Sequence, residues 1–406
     1  MSLFKIDSFL TLKNLISWEQ TDKGLVLNFD FDQVQIDLLS PRYFRLHIAP
    51  QNQFDEYQSS AVVQNDFSIP DFSITNDKST LSIVSEHYDI EIQRSPFNIT
   101  ATRKDGSTIW QGKQEGFYSY LNNEFQVSRQ CHGPDYIYGL GEKSGSLNRM
   151  GQDYTLWNTD ILSPQIDRGE ESPAHNEDAR QDPLSDQFDP YYMSIPFFQH
   201  VDVKTNQVSA SFIDNPCKSH FRFQNKKGHG SIEYRFTGGQ YCEYIFAGPS
   251  FKEILEDYTS LTGRMQMPPL WALGYHQCRW KRYKQDEVLA LGKKHRELKI
   301  PCESLWLDID YMDGYRIFTW NDQLFPDRQA FFKEAKGLGF RIVPIVDPGV
   351  KYEKATKLLI TPTRTISFAL LKTTVLTSVK SGLETPPFPI SIKKSVVNGG
   401  AKRTQN

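Results

Sequence analysis

Several large protein classes are excluded by what this sequence has little of. No apolar run approaches the roughly 20 residues that cross a bilayer as a helix. The start, Met1-Ser-Leu-Phe-Lys-Ile-Asp7, has neither the basic region nor the apolar stretch of a secretion signal, so no export is expected. Cysteine is scarce: the five in 406 residues, Cys131, Cys217, Cys242, Cys278 and Cys302, are dispersed and show no CxxC spacing. That argues against a disulfide scaffold or a cysteine-built metal site, and for free thiols in the reducing cytoplasm. The net charge of −3 supplies no electrostatic footprint for nucleic acid or an anionic membrane. Asn98-Ile-Thr100 matches a glycosylation acceptor, but without an export signal it reads as coincidence.

What is present is a globular composition, 38% hydrophobic and 13% aromatic, in a chain long enough for two or three domains. Aromatic planes beside scattered acids would suit a sugar, whose ring faces stack while its hydroxyls bond to carboxylates. Up to about residue 248 the pattern is one of strands. Residues 24–31, 34–39, 44–48, 81–84, 88–93 and 231–236 alternate apolar and polar side chains, with turn residues such as Lys104-Asp-Gly106 between runs. Many short strands at this spacing predict a large antiparallel β-sandwich over residues 1–248. Tyr138-Gly-Leu-Gly-Glu142 is not a full phosphate-binding G-x-G-x-x-G and opens no helix, so a tight turn between strands is expected there. Tyr154-Thr-Leu-Trp-Asn-Thr-Asp160 sets aromatics beside an Asn and an Asp, as either a plain surface hairpin or part of a site. Residues 161–188 are polar and acidic and read as a long exposed loop, before strands resume after Asp189.

The period changes near Phe251. Residues 251–263 space apolar side chains as a helix and end on glycine, which predicts a linker helix within residues 249–267. After Pro268-Pro269 come a strand over 271–278, an amphipathic helix over 285–298, a strand over 304–308, a helix over 327–337 and a strand over 341–347. Strands alternating with helices predict a parallel sheet, although Pro344 is awkward for a central strand. The strand over 304–308 empties into a loop carrying Asp308, Asp310 and Asp313, because isolated carboxylates do not continue a buried strand. In parallel α/β proteins the carboxyl ends of strands hold ligands. A solvated acidic turn is the plain alternative. A calcium loop is disfavoured, since the closing Glu of an EF-hand is absent.

Taken together, Gly139-Leu-Gly-Glu142, Leu156-Trp-Asn-Thr-Asp160, Pro268-Pro-Leu-Trp-Ala-Leu-Gly-Tyr275, Cys278-Arg-Trp280, Trp306-Leu-Asp-Ile-Asp-Tyr-Met-Asp313, Phe318-Thr-Trp320, Phe325-Pro-Asp327 and Val346-Asp-Pro-Gly349 resemble glycoside hydrolase family 31, in family order. The resemblance implies a galactose-mutarotase-like β-sandwich followed by the first three β/α units of a (β/α)8 barrel over residues 268–354. The Asp-Ile-Asp-Tyr-Met pattern is similar to the α-glucosidase branch. It implies that Asp308 binds hydroxyls of the glucose at the cleaved subsite and that Asp160 binds sugar at the pocket mouth. Ile309 and Val350 would line the walls. The implied partners are α-glucoside oligosaccharides, with no cofactor and no metal. A retaining glycosidase of this family uses two aspartates on later barrel strands, the first in an Asp-Met-Asn-Glu type motif, which this sequence does not contain. No catalytic residue is therefore assigned.

Residues 355–406 turn rich in Thr, Ser and Lys and lose periodicity. Shifting the frame by one base lets Ser381-Gly-Leu-Glu-Thr-Pro-Pro-Phe-Pro-Ile-Ser-Ile-Lys-Lys394 read Val-Trp-Pro-Gly-Asp-Ser-Ala-Phe-Pro-Asp-Phe-Tyr-Lys-Lys, a pattern of the family after its third barrel strand. The expectation is a truncated α-glucosidase with an out-of-frame, disordered tail. The alternatives are a non-catalytic carbohydrate-binding or regulatory protein, or a family 31 enzyme for another α-glycoside.

Overall fold

A computed structural model describes residues 9–54, 59–114, 116–159, 189–226 and 229–347. The loop expected over 161–188 and the tail from 355 lie outside the described residues. The chain divides into two compact units, Met1–Arg264 and Met265–Asn406.

The first unit is all antiparallel. Among the described residues an eight-stranded sheet runs in the order Tyr136–Gly141, Ser194–Asp202, Gln207–Ile213, Tyr241–Phe246, Tyr43–Ala49, Gln33–Ser40, Gly24–Asn28, Ser17–Gln20. A six-stranded sheet (Leu10–Thr11, Tyr118–Leu121, Glu124–His132, His229–Phe236, Ser219–Lys226, Asp153–Leu156) and a five-stranded one (Thr108–Gln111, Phe97–Arg103, Tyr88–Arg94, Thr80–Ser85, Phe72–Asn76) complete it. Alternation does the folding. In His229–Phe236 the side chains of Ile232, Tyr234 and Phe236 are buried while Ser231, Glu233 and Arg235 are only partly so. One core joins the three sheets, with Leu25, Ile36, Leu46, Ile90, Phe125 and Tyr234 among its fully buried members.

Helix α1 (Phe251–Thr262), expected as a linker, belongs to this unit. Its capping box, Ser250 with Glu253, fixes the start. Ile254 and Leu261, seven residues apart on one face, are fully buried against Phe197, Val208, Phe212 and Phe246 on the outer face of the eight-stranded sheet. Tyr258 stacks on Phe197 with ring centroids 4.0 Å apart. Burying each aliphatic side chain contributes about 1.5–3 kcal/mol, enough to dock the helix. Arg42 adds a forked ion pair to Asp257, at 2.6 Å from Nη2 to Oδ1.

Gly139-Leu-Gly141 is a bulge inside the strand Tyr136–Gly141, not a turn between strands. Its three residues all have positive φ. A Cβ on Gly139 would meet the Phe197 carbonyl oxygen at 2.5 Å, and one on Gly141 the Met193 carbonyl oxygen at 2.7 Å. The glycines are there so that two backbones can touch. Asn98 is buried and its amide donates to the Gly112 carbonyl at 3.3 Å, so the sequon is a core contact.

The second unit is parallel. His276–Gln277, Ser304–Leu307 and Arg341–Pro344 form a three-stranded sheet in that order, with α2 (Gln285–Glu297) and α3 (Arg328–Gly337) as its connections. The first strand is shorter than expected, because residues 270–273 wind into a 3-10 turn. Pro344 sits at the end of an edge strand among the described residues, where its missing N–H breaks no ladder. Leu305 and Leu307 enter a core with Val288 and Leu289 of α2, Phe331 and Ala335 of α3, and Phe340. Ser304 and Trp306 occupy the opposite face, where the Trp306 indole donates to His276 Nδ1 at 3.2 Å and Ser304 Oγ at 3.1 Å.

Candidate functional site

The site is built at the carboxyl end of Ser304–Leu307, the central strand of the parallel sheet among the described residues. Asp308 ends the strand and caps a 3-10 turn over Ile309–Tyr311. Its carboxylate accepts the Ile309 N–H at 2.7 Å, its one hydrogen bond among the described residues. Ile309 is half-buried and packs against the core of the second unit.

The neighbouring acids are spoken for. Asp310 accepts the Trp280 indole N–H at 2.9 Å on Oδ2 and the Tyr315 hydroxyl at 3.0 Å on Oδ1. Burial and this carboxylate push the Tyr315 phenol up. Asp313 accepts from Arg316 at 3.3 Å, while its N–H donates to Thr319 Oγ1 at 3.0 Å. The three aspartates do not converge, so no calcium loop forms among the described residues. The loop is folded onto aromatics. Tyr311 is buried, donates to the Ile345 carbonyl at 3.1 Å, and lies 4.7 Å from the Trp320 ring. Trp320 also meets Phe325 edge-on at 5.2 Å. Asn321 closes the loop, donating its N–H to the Tyr311 carbonyl at 2.8 Å and accepting the Leu324 N–H at 3.2 Å. Burial, and then the Asp308 charge, push the Cys278 thiol up.

Asp160 and Val350 lie outside the described residues. The approach to Asp160 is described through Thr159, within the first unit. Asn158 accepts the Ser194 N–H at 2.9 Å, and Thr159 donates its N–H to the Tyr191 carbonyl at 3.1 Å. The buried Lys143 ammonium donates to Asp189 at 2.8 Å and to the Thr155 carbonyl at 2.6 Å. Burial lowers the Lys143 pKa and Asp189 opposes that shift. The segment is thus braced by these hydrogen bonds, with Trp157 exposed. Sequence reasoning did not find the roles of Trp280 and Tyr315 as partners of Asp310. Neither spacing nor residue type signals the Trp280 contact, made across 30 positions, or the Tyr315 contact, made across five.

An antiparallel β-sandwich joined in sequence to parallel β/α units, with an acid at the end of the central strand, defines the class. The sequence comparisons make it specific. Residues 33–221 match the glycosyl hydrolase 31 N-terminal galactose mutarotase-like domain, and residues 265–379 match the glycosyl hydrolases family 31 TIM-barrel domain, running beyond Lys354. The chain belongs to glycosyl hydrolase family 31. Alpha-glucosidase 2 of Bacillus thermoamyloliquefaciens is 32% identical over 344 residues, covering 84% of this chain and 40% of that protein. The alpha-glucosidase of Saccharolobus solfataricus is 29% identical over 232 residues, 57% of this chain and 30% of that one. Among solved structures, a family 31 dextranase of Flavobacterium johnsoniae in complex with isomaltotriose superposes with a TM-score of 0.70 at 26% identity, over 82% of this chain and 38% of that one. The chain thus spans well under half the length of these relatives.

Proposed function

We propose that this chain is the substrate-binding front portion of an α-glucosidase that releases terminal α-linked glucose from oligosaccharides with retention. Asp308 accepts hydroxyls of the glucose at the cleaved subsite and Ile309 forms an adjacent wall. Asp160 and Val350 complete the pocket in this reading. The carrying observation is the contrast among three acids in one loop. Asp310 and Asp313 are tied down by protein donors, whereas Asp308, at the strand end, accepts only its neighbour's N–H among the described residues. A neutral sugar needs such acceptors fixed in place before it arrives. The names of the relatives, two of them α-glucosidases, support the substrate class. A place in cytoplasmic carbohydrate metabolism fits five cysteines of which none forms a disulfide among the described residues.

The catalytic pair of such an enzyme would sit on barrel strands beyond those described here, and we infer that the 406-residue chain does not hydrolyse glucosides. A frame change near Lys354 accounts for the loss of periodicity and for the missing motif together; resequencing the DNA there tests it. The functional test is calorimetric titration with isomaltotriose. Binding that Asp308→Asn weakens roughly tenfold, or about 1.4 kcal/mol, is expected for the loss of a charged acceptor. Equal affinity in the two proteins, or hydrolysis of p-nitrophenyl α-glucoside that vanishes in Asp308→Asn, would overturn this reading.

A further inference from the structure

Three donor atoms of the kinds that hold zinc meet in the first unit, far in sequence from the acidic loop. The Cys131 thiol, the Asp135 carboxylate and the His200 imidazole have ligand atoms all within 4.8 Å of one another. They come from separate pieces of rigid backbone. Cys131 is near the end of the strand Glu124–His132, Asp135 is in the turn that follows, and His200 is in the strand Ser194–Asp202 of the eight-stranded sheet. Asp135 and His200 are buried and Cys131 half-buried.

We propose that Cys131, Asp135 and His200 form a binding site for a zinc-class divalent cation, with water as the fourth ligand, that staples these two strands together. Thiolate, imidazole and carboxylate are the donors zinc prefers, and three protein ligands plus water is an established coordination. Asp135 is already aimed. Its Oδ2 accepts the His132 N–H at 2.9 Å and its Oδ1 the Val203 N–H at 3.2 Å, which fix the carboxylate as outer-shell donors do around known metal ligands. The 2.7 Å hydrogen bond from His200 Nε2 to Asp135 Oδ2 holds the metal-free pair together. Room for the sulfur is built in. Gly230 pairs with Cys131 across the strands, and a Cβ there would lie 2.6 Å from Sγ. On binding, the S–H bond breaks and its proton leaves to solvent. The His200 imidazole stays neutral by exchanging its Nε2 proton for one on Nδ1 through solvent, and the sulfur and Nε2 give their lone pairs to the cation. Thiolate and carboxylate then neutralise the dication, so the buried complex carries no net charge. No oxidant or reductant is involved.

The test titrates the full-length, chelator-treated, reduced chain with Co²⁺ and reads the near-ultraviolet thiolate-to-cobalt charge-transfer band. The proposal expects one equivalent per chain, displacement by Zn²⁺ and proton release seen as buffer-dependent heats. Cys131→Ser should abolish the band with an unchanged circular dichroism spectrum, while Cys278→Ser, at an exposed thiol, should keep it. His200→Gln should weaken Zn²⁺ more than about tenfold. A reduced, folded chain that shows no such band, or a band that survives Cys131→Ser, would overturn the site and leave a structural Asp–His pair. Because Cys131→Ser is nearly isosteric, the test stands even where the histidine variant fails to fold.

Discussion

Replacing Glu243 by leucine should cost the sandwich more than almost any other single change to its polar groups. Glu243 is fully buried and four donors converge on its carboxylate. The Trp110 indole donates to Oε1 at 3.2 Å, the hydroxyls of Tyr234 and Tyr241 donate to Oε2, and the buried Arg129 guanidinium lies 3.5 Å from Oε1. Only an acceptor-only side chain satisfies such a set. Leucine would leave Arg129 as an unpaired buried cation, a loss of about 3–5 kcal/mol. Three further donors would lose their partner at about 1–3 kcal/mol each if wholly orphaned. Several terms pull that sum down. The two tyrosine hydroxyls lie 3.4 Å apart and can bond to each other. Arg129 keeps Ser211 Oγ at 2.7 Å and the faces of Trp110 and Phe198 at 5.3 and 5.7 Å. Leucine also buries apolar area. A net loss of about 4 kcal/mol is expected, a large part of the 5–15 kcal/mol typical of a domain. Glu243→Gln should cost only about 1–2 kcal/mol, since its oxygen can face Trp110 and Arg129 while the hydroxyls rotate to accept from its amide. Urea unfolding followed by far-ultraviolet circular dichroism separates the two. A leucine variant within about 1 kcal/mol of the parent, or a glutamine variant as damaged as the leucine one, would refute the convergence argument.

Ile254→Ala in α1 should lose about 2–5 kcal/mol, because the side chain is fully buried against the eight-stranded sheet; a shift in the sandwich's urea midpoint reads it, and no shift would mean the helix is only a tether. Limited proteolysis should cut between residues 265 and 275, where Met265, Met267 and Leu270 are strongly exposed, releasing a stable sandwich of mass matching residues 1–264; survival of an uncut chain at that segment would contradict it. Alkaline stability should fall early. Burial raises the phenols of Tyr88, Tyr118, Tyr234 and Tyr241, and pushes Tyr43 up to about 12. The folded state therefore keeps protons that the unfolded chain releases above pH 10.0, so stability present below pH 10.0 is lost as pH rises past it. A urea midpoint unchanged between pH 9 and pH 11 would disprove this.

The sequence alone determined the architecture, since period-2 alternation up to residue 248 and the shift to strands alternating with helices after Pro268 are local patterns. It also marked Asp308, because a carboxylate after a buried strand must face something polar. Local pattern could not decide contacts made at a distance in sequence. The glycines of Gly139-Leu-Gly141 read as a turn, and only the backbones of Phe197 and Met193 pressing on them show a bulge. Residues 251–263 show a helix, but that Ile254 and Leu261 bury against a sheet is a property of the assembled first unit. The division of labour among Asp308, Asp310 and Asp313 followed the same logic. All three are equivalent as letters, and it is the Trp280 indole and the Tyr315 hydroxyl that engage one, and Arg316 another. Cys131, Asp135 and His200 are a further case. They span 69 positions and meet because strand pairing, which the hydrophobic pattern drives but does not spell out, brings their donor atoms together.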